Sequence, residues 1–122
     1  MQQVNYPNWI EIDLSAIEHN TRTIIEHTKK PLMAVVKANA YGFGSVEVGK
    51  AALSAGAAYL AVARYCEAKV LREAGITAPI LILGMVSPDE VEQVIAQKLT
   101  LTLFSHEYAD VLSQKASEYN GR

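Results

Sequence analysis

The chain has 122 residues, half of them hydrophobic and a fifth charged, with 11 Lys and Arg against 13 Asp and Glu and a formal charge of −2. Ordinary globular composition of this kind argues against a disordered chain or a coiled coil and makes one domain the default. Without a basic stripe neither nucleic acid nor an anionic membrane is expected as a partner, and the longest apolar run, Pro79 to Val86, is far short of the roughly 20 residues that cross a bilayer.

In chain order, Met1 to Tyr6 has neither the basic n-region nor the apolar h-region of an export signal, which predicts a cytoplasmic protein. Trp9 to Asp13 reads as an opening strand. A helix is predicted from about Ser15, where Ser15-Ala16-Ile17-Glu18 has the Ser-x-x-Glu spacing of a capping box. Strand-like apolar runs follow at Pro31 to Val36, Tyr59 to Ala63, Pro79 to Leu83 and Leu99 to Phe104. The first three are continuously apolar, as parallel strands covered on both faces are, and the fourth alternates with Thr. After each run comes a segment of helical periodicity, such as Val91, Val94 and Ile95, or Tyr108, Val111, Leu112, Ala116 and Tyr119. Ser87-Pro88-Asp89-Glu90 has the features of a capping box with Pro at the first helical position, and Gly56 and Gly75 mark helix ends.

Strands and helices alternating in this way call for a parallel sheet with right-handed crossovers, either doubly wound or a (β/α) barrel of the TIM type. A closed barrel needs eight such units and about 250 residues. Read as a barrel, an opening strand and four strand-helix units make half of one, truncated where a fifth strand would begin.

Ligands of parallel α/β folds bind beyond the carboxyl ends of the strands. Lys37 follows the first apolar run directly, which puts its amine at the mouth of the sheet. Partial desolvation there would lower its pKa, as Schiff-base lysines require, while the plainer alternative is a lysine that snorkels to solvent. Tyr41 and the Gly42-Phe43-Gly44 turn could let backbone approach an anion, or could be a packing aromatic on a strand-to-helix turn. The chain has no phosphate-binding P-loop sequence and no Gly-x-Ser-x-Gly elbow, and Glu47 occupies the third glycine position of a dinucleotide fingerprint. His19, His27 and His106 read as solvated surface residues, so no metal site is expected, and the lone Cys66 reads as a small apolar residue on a helix.

The string Ala34-Val35-Val36-Lys37-Ala38-Asn39-Ala40-Tyr41-Gly42-Phe43-Gly44 closely resembles the pyridoxal-phosphate attachment motif of alanine racemases. Trp9 to Asn20 is similar to the family's opening segment, and Ala51 to Ala57, Leu60 to Ala63, Leu71 to Ile76 and Ala78 to Gly84 follow its pattern in order. One departure is Phe43, which stands where the family usually has His.

The resemblance implies residues 1–122 of an N-terminal (β/α) barrel domain, without the family's C-terminal β domain, in a homodimeric enzyme that interconverts L- and D-alanine with pyridoxal 5'-phosphate and supplies D-alanine for cell walls. By position in the motif, Lys37 would carry the cofactor and act as the base on one face of the α-carbon. Tyr41 would hydrogen-bond the cofactor phosphate, and Leu83 would lie close to its ring. The opposite-face base, a tyrosine from the partner subunit, and most phosphate contacts belong to later parts of the family's sequence, so this stretch alone is expected to be inactive. Two other readings remain open: a serine or broad-specificity racemase of the same fold, and a non-catalytic α/β module that binds a phosphate-bearing ligand or pairs with a copy of itself.

Overall fold

The computed structural model describes residues 8–120; the reading of Met1 to Tyr6 lies outside them. The first element is α1 (Leu14–Thr28), and its start corrects the expected cap. The Asp13 carboxylate accepts from the backbone N–H groups of Ser15 at 2.9 Å and Ala16 at 3.2 Å. The Ser15 hydroxyl itself donates to Asp13 at 2.6 Å, so Ser15 serves the cap and does not form it. That hydroxyl, with the Ala16 N–H, holds the Asp13 carboxyl below the usual range. A carboxyl with a depressed folded-state pKa stabilises fully above its ordinary value of about 3.9 and loses that contribution as pH falls through the lower folded value. Acidification below pH about 4 is therefore expected to fray the first turn of α1, read as faster amide exchange at Ser15 and Ala16 while Leu60 stays protected.

The predicted opening strand is also corrected. A strand exists by pairing, and the segment before α1 lies outside the sheet, leaving Trp9 75% and Ile10 85% exposed.

From β1 (Met33–Val35) onward the expected rhythm of four strand-helix units is present. A short turn α2 (Lys37–Tyr41) and α3 (Ser45–Ser54) lead to β2 (Tyr59–Val62) and α4 (Tyr65–Glu73). Next come β3 (Ile80–Ile82), a 3-10 turn (Pro88–Glu90) running into α5 (Val91–Ala96), then β4 (Thr100–Leu101) and α6 (His106–Asn120). The Ser87 box forms as read: the Ser87 N–H donates to the Glu90 carboxylate at 3.1 Å, and the Asp89 N–H donates to Ser87 Oγ at 3.4 Å.

All strands pair in parallel in the order β1-β2-β3-β4. Alternation along each strand sorts the side chains. One face carries Val36, Leu60, Val62, Ile80 and Ile82, packed with Ala68, Leu71 and Val94 of the helices into the core. The other carries Met33, Val35, Tyr59 and Leu83, each between 38% and 40% exposed. A doubly wound sheet would be covered on both faces; sequential neighbours with a core on one face only are the beginning of a barrel wall, whose uncovered face is the barrel interior. At the amino ends of the strands Arg72 ties two connections together, donating to the carbonyls of Ile76, Ala78, Gln97 and Lys98.

Candidate active site

At the opposite, carboxyl end of the sheet, register sets the frame. Val35 pairs with Ala61 and Val62 with Ile82, so Lys37, Ala63 and Leu83 come at one level on the uncovered face. With strands about 4.8 Å apart, Lys37 and Leu83 stand about 10 Å apart along the backbone. Lys37 is half-buried, and its ammonium lies 6.0 Å from the centroid of the Tyr41 ring, at the outer limit of a cation–π contact. Tyr41 is 62% exposed. The structure thus brings Lys37 and Tyr41 together and sets Leu83 two strands away at the same mouth.

What joins Lys37 to Tyr41 is not the ordinary strand-to-helix turn that the two glycines suggest. Ala38, Asn39, Ala40 and Tyr41 all have positive φ, between 50° and 57°, a left-handed turn of four consecutive residues with side chains. Such a conformation costs about 1–2 kcal/mol per residue for L-amino acids, and only Asn39 belongs to a type that visits it readily. The turn closes on itself through Ala40 N–H to Val36 O at 2.9 Å, Phe43 N–H to Ala40 O at 3.1 Å and Gly44 N–H to Asn39 O at 2.9 Å. Gly42 and Gly44 continue at φ 94° and 93°, where glycine alone is unstrained. The Phe43 side chain is exposed, and only its backbone joins the turn's hydrogen bonding.

Two side chains hold this turn in place, and sequence reasoning missed both. The Asn39 Oδ1 accepts from Ser45 N–H at 2.9 Å, fixing the turn to the start of α3. The Glu67 carboxylate accepts from Ala38 N–H at 2.7 Å with one oxygen, and from Ala63 N–H at 2.7 Å and Arg64 N–H at 3.1 Å with the other. Burial pushes the Glu67 carboxyl up, but the three N–H donors and the Arg64 charge outweigh it and leave the group below its ordinary value. Half a signal was available: Glu67 stands three residues after Arg64, the capping-box place of Glu90, but no Ser or Thr heads it. Nothing local announces its bond to Ala38.

Leu83 is fixed by its own backbone. Its N–H donates to Val62 O at 2.8 Å, and Gly84 N–H donates to Ala63 O at 3.0 Å. A Cβ on Gly84 would sit 2.5 Å from the Ala63 carbonyl oxygen, so this close approach of the β2 and β3 ends requires glycine. Beyond it, the Tyr108 hydroxyl donates to Val86 O at 2.7 Å and accepts from Val86 N–H at 2.9 Å, pinning the loop after β3 to α6. His19, His27 and His106 are exposed, as read. Cys66 lies in α4 but is exposed rather than packed. Among the described residues no group of three His, Cys, Asp or Glu side chains is placed to hold a metal ion, and no helix is long and apolar enough to cross a membrane.

Comparison with known proteins bears directly on this arrangement. The family described as alanine racemase, N-terminal domain, matches residues 12–122. An alanine racemase of Methanococcus maripaludis is 51% identical over 121 residues, which are 98% of this chain and 32% of that protein. Among solved structures, the alanine racemase of Bacillus anthracis with bound L-Ala-P superposes with a TM-score of 0.83 at 45% identity, over 93% of this chain and 29% of its own. A histidine racemase from Leuconostoc mesenteroides superposes with a TM-score of 0.81 at 32% identity, over 88% of this chain and 29% of its own. The chain spans about a third of the length of the curated relatives it matches.

Proposed function

The chain belongs to the alanine racemase N-terminal domain family, and from that premise we propose that it is part of a pyridoxal-phosphate enzyme interconverting L- and D-alanine. The observation that carries the reading is Lys37, a half-buried amine at the carboxyl end of the first barrel strand, aimed by a left-handed turn in a chain of this family.

Racemisation removes the α-hydrogen and returns a proton to the opposite face. The cofactor, when bound, supplies an electron sink that makes this hydrogen acidic. The side chains present fit it: a primary amine for the aldehyde, a phenol for a phosphate oxygen, and an exposed apolar side chain at the same mouth for the ring.

In this reading Lys37 Nζ would hold the cofactor at its aldehyde carbon, and the same amine would hold and return the proton on one face of the α-carbon. Tyr41 would donate its hydroxyl proton to a phosphate oxygen, and Leu83 would lie against the ring. Residues 1–122 form the first half of the barrel domain, and the second base comes from a partner copy in a homodimer. The enzyme acts in the cytoplasm and supplies D-alanine for cell walls.

D-Alanine formation from L-alanine by the protein carrying these residues, with added pyridoxal phosphate, tests the reading. Turnover of alanine ahead of serine and histidine is expected. Because a histidine racemase shares this architecture, faster turnover of another amino acid would move the assignment to a racemase of different specificity, and no turnover of any would favour a non-catalytic module.

A further inference from the structure

We propose that Glu67 is a positioning residue for Lys37: its carboxylate fixes the peptide group that follows Lys37 and so aims the lysine amine. The inference rests on the reading of Lys37 as the cofactor-binding amine.

Ala38 N–H belongs to the peptide bond between Lys37 and Ala38, and Glu67 accepts it at 2.7 Å across 29 residues of sequence. That bond lies where the strand stops and the left-handed turn begins, since Ala38 is the first residue with positive φ. The preceding backbone is fixed from the sheet side by Val36 N–H to Ala61 O at 2.8 Å. Lys37 is therefore held between the β2 ladder on one side and the Glu67 carboxylate on the other.

A plain helix cap does not account for this. Capping α4 needs only the oxygen that accepts from Ala63 and Arg64; the other oxygen reaches a different strand-helix unit. With three N–H donors on two oxygens the site requires a carboxylate. A glutamine in its place turns one oxygen into an NH2 group facing backbone N–H donors, which leaves at least one of them unpaired and next to a like dipole. The Lys37 peptide is then free to relax from a conformation that is costly by itself. The charged neighbour acting on Glu67 is Arg64.

The test compares the chain with its Glu67→Gln variant by exposure to limiting pyridoxal phosphate, borohydride fixation and peptide mapping of the modified lysines, with a thermal melt of each. In the unaltered chain the adduct is expected mainly on Lys37. In Glu67→Gln the preference for Lys37 over the other lysines is expected to fall about tenfold, as a catalytic group misplaced by a fraction of an ångström would require, while the variant still melts cooperatively. Equal preference in the variant overturns the inference and leaves the Lys37 reading standing. Absence of any preference in the unaltered chain overturns the Lys37 reading itself, and the inference with it. A second measurement needs no variant. In an NMR titration of the unaltered chain, the Ala38 and Ala63 amide protons are expected to shift together with the Glu67 carboxyl, and an Ala38 amide that does not move with it overturns the clamp even if Glu67→Gln fails to fold.

Discussion

Lys37→Ala is expected to lower racemisation by the protein carrying these residues at least about a thousandfold, because on the proposed reading the substitution removes the cofactor-holding amine and the base on one face together. The loss should appear in kcat and not as a rise in KM alone, since the missing group acts on the reacting hydrogen. The fold should survive it. Lys37 makes no salt bridge among the described residues, and its stem is half-buried at the rim of the sheet, so a melting temperature within a few degrees of the unaltered protein is expected. Retention of more than a tenth of the activity in a folded Lys37→Ala protein would remove Lys37 from the chemistry.

Arg72→Met is expected to do the reverse, lowering stability while leaving the site's chemistry in place. The guanidinium donates to Ala78 O at 2.7 Å, Ile76 O at 2.8 Å, Gln97 O at 2.9 Å and Lys98 O at 3.3 Å. These carbonyls belong to the α4–β3 and α5–β4 connections at the amino ends of the strands, away from Lys37. Burial pulls the Arg72 pKa down, but a guanidinium remains a cation in a protein. Methionine keeps much of the stem's packing and removes every donor, leaving the carbonyls dependent on water. A loss of about 3 kcal/mol is expected, from several charge-assisted hydrogen bonds partly replaced by solvent. For a chain of this size that is a fall in melting temperature of about 10 °C. Arg72→Lys should recover only part of it, since an ammonium cannot span the same fan of acceptors. The preference of pyridoxal phosphate for Lys37 should be unchanged in either variant that folds. A change below about 1 kcal/mol in Arg72→Met would mean that these bonds are replaced by water without cost.

The two effects divide the sheet as parallel α/β folds do, with stability at the amino ends and chemistry at the carboxyl ends. That division also explains what could be read in advance. The four strands are legible because the apolar runs at Pro31, Tyr59, Pro79 and Leu99 are strong and recur in step with segments of helical periodicity. The choice between a doubly wound sheet and a barrel is not, because it depends on which face the helices cover, a tertiary fact that a continuously apolar strand conceals. Trp9 to Asp13 has a strand's composition, but a strand needs a partner edge. Asp13 takes the cap from Ser15 because a carboxylate one position before the helix satisfies two N–H groups and attracts the serine hydroxyl as well.

At the candidate site, Lys37 and Tyr41 can be picked out because they follow a strand end, where ligands of parallel α/β folds bind, whereas Leu83 is pointed to only by the resemblance to alanine racemases. The left-handed turn that joins Lys37 to Tyr41 cannot, since Ala38 and Ala40 are residues no rule of propensity would put at positive φ. The turn persists through Asn39 and Glu67, and Glu67 contacts it from another strand-helix unit. Strain of this kind is held from outside the segment that bears it, and local sequence does not record it.

Peptide mapping of the chain after limiting pyridoxal phosphate and borohydride, compared with Lys37→Ala, tests the central claim most directly. The predicted result is a pyridoxyl adduct concentrated on Lys37, with that signal lost and no other lysine taking its place in the variant. An adduct spread evenly over the chain's lysines, or the same total labelling after Lys37→Ala, would contradict it.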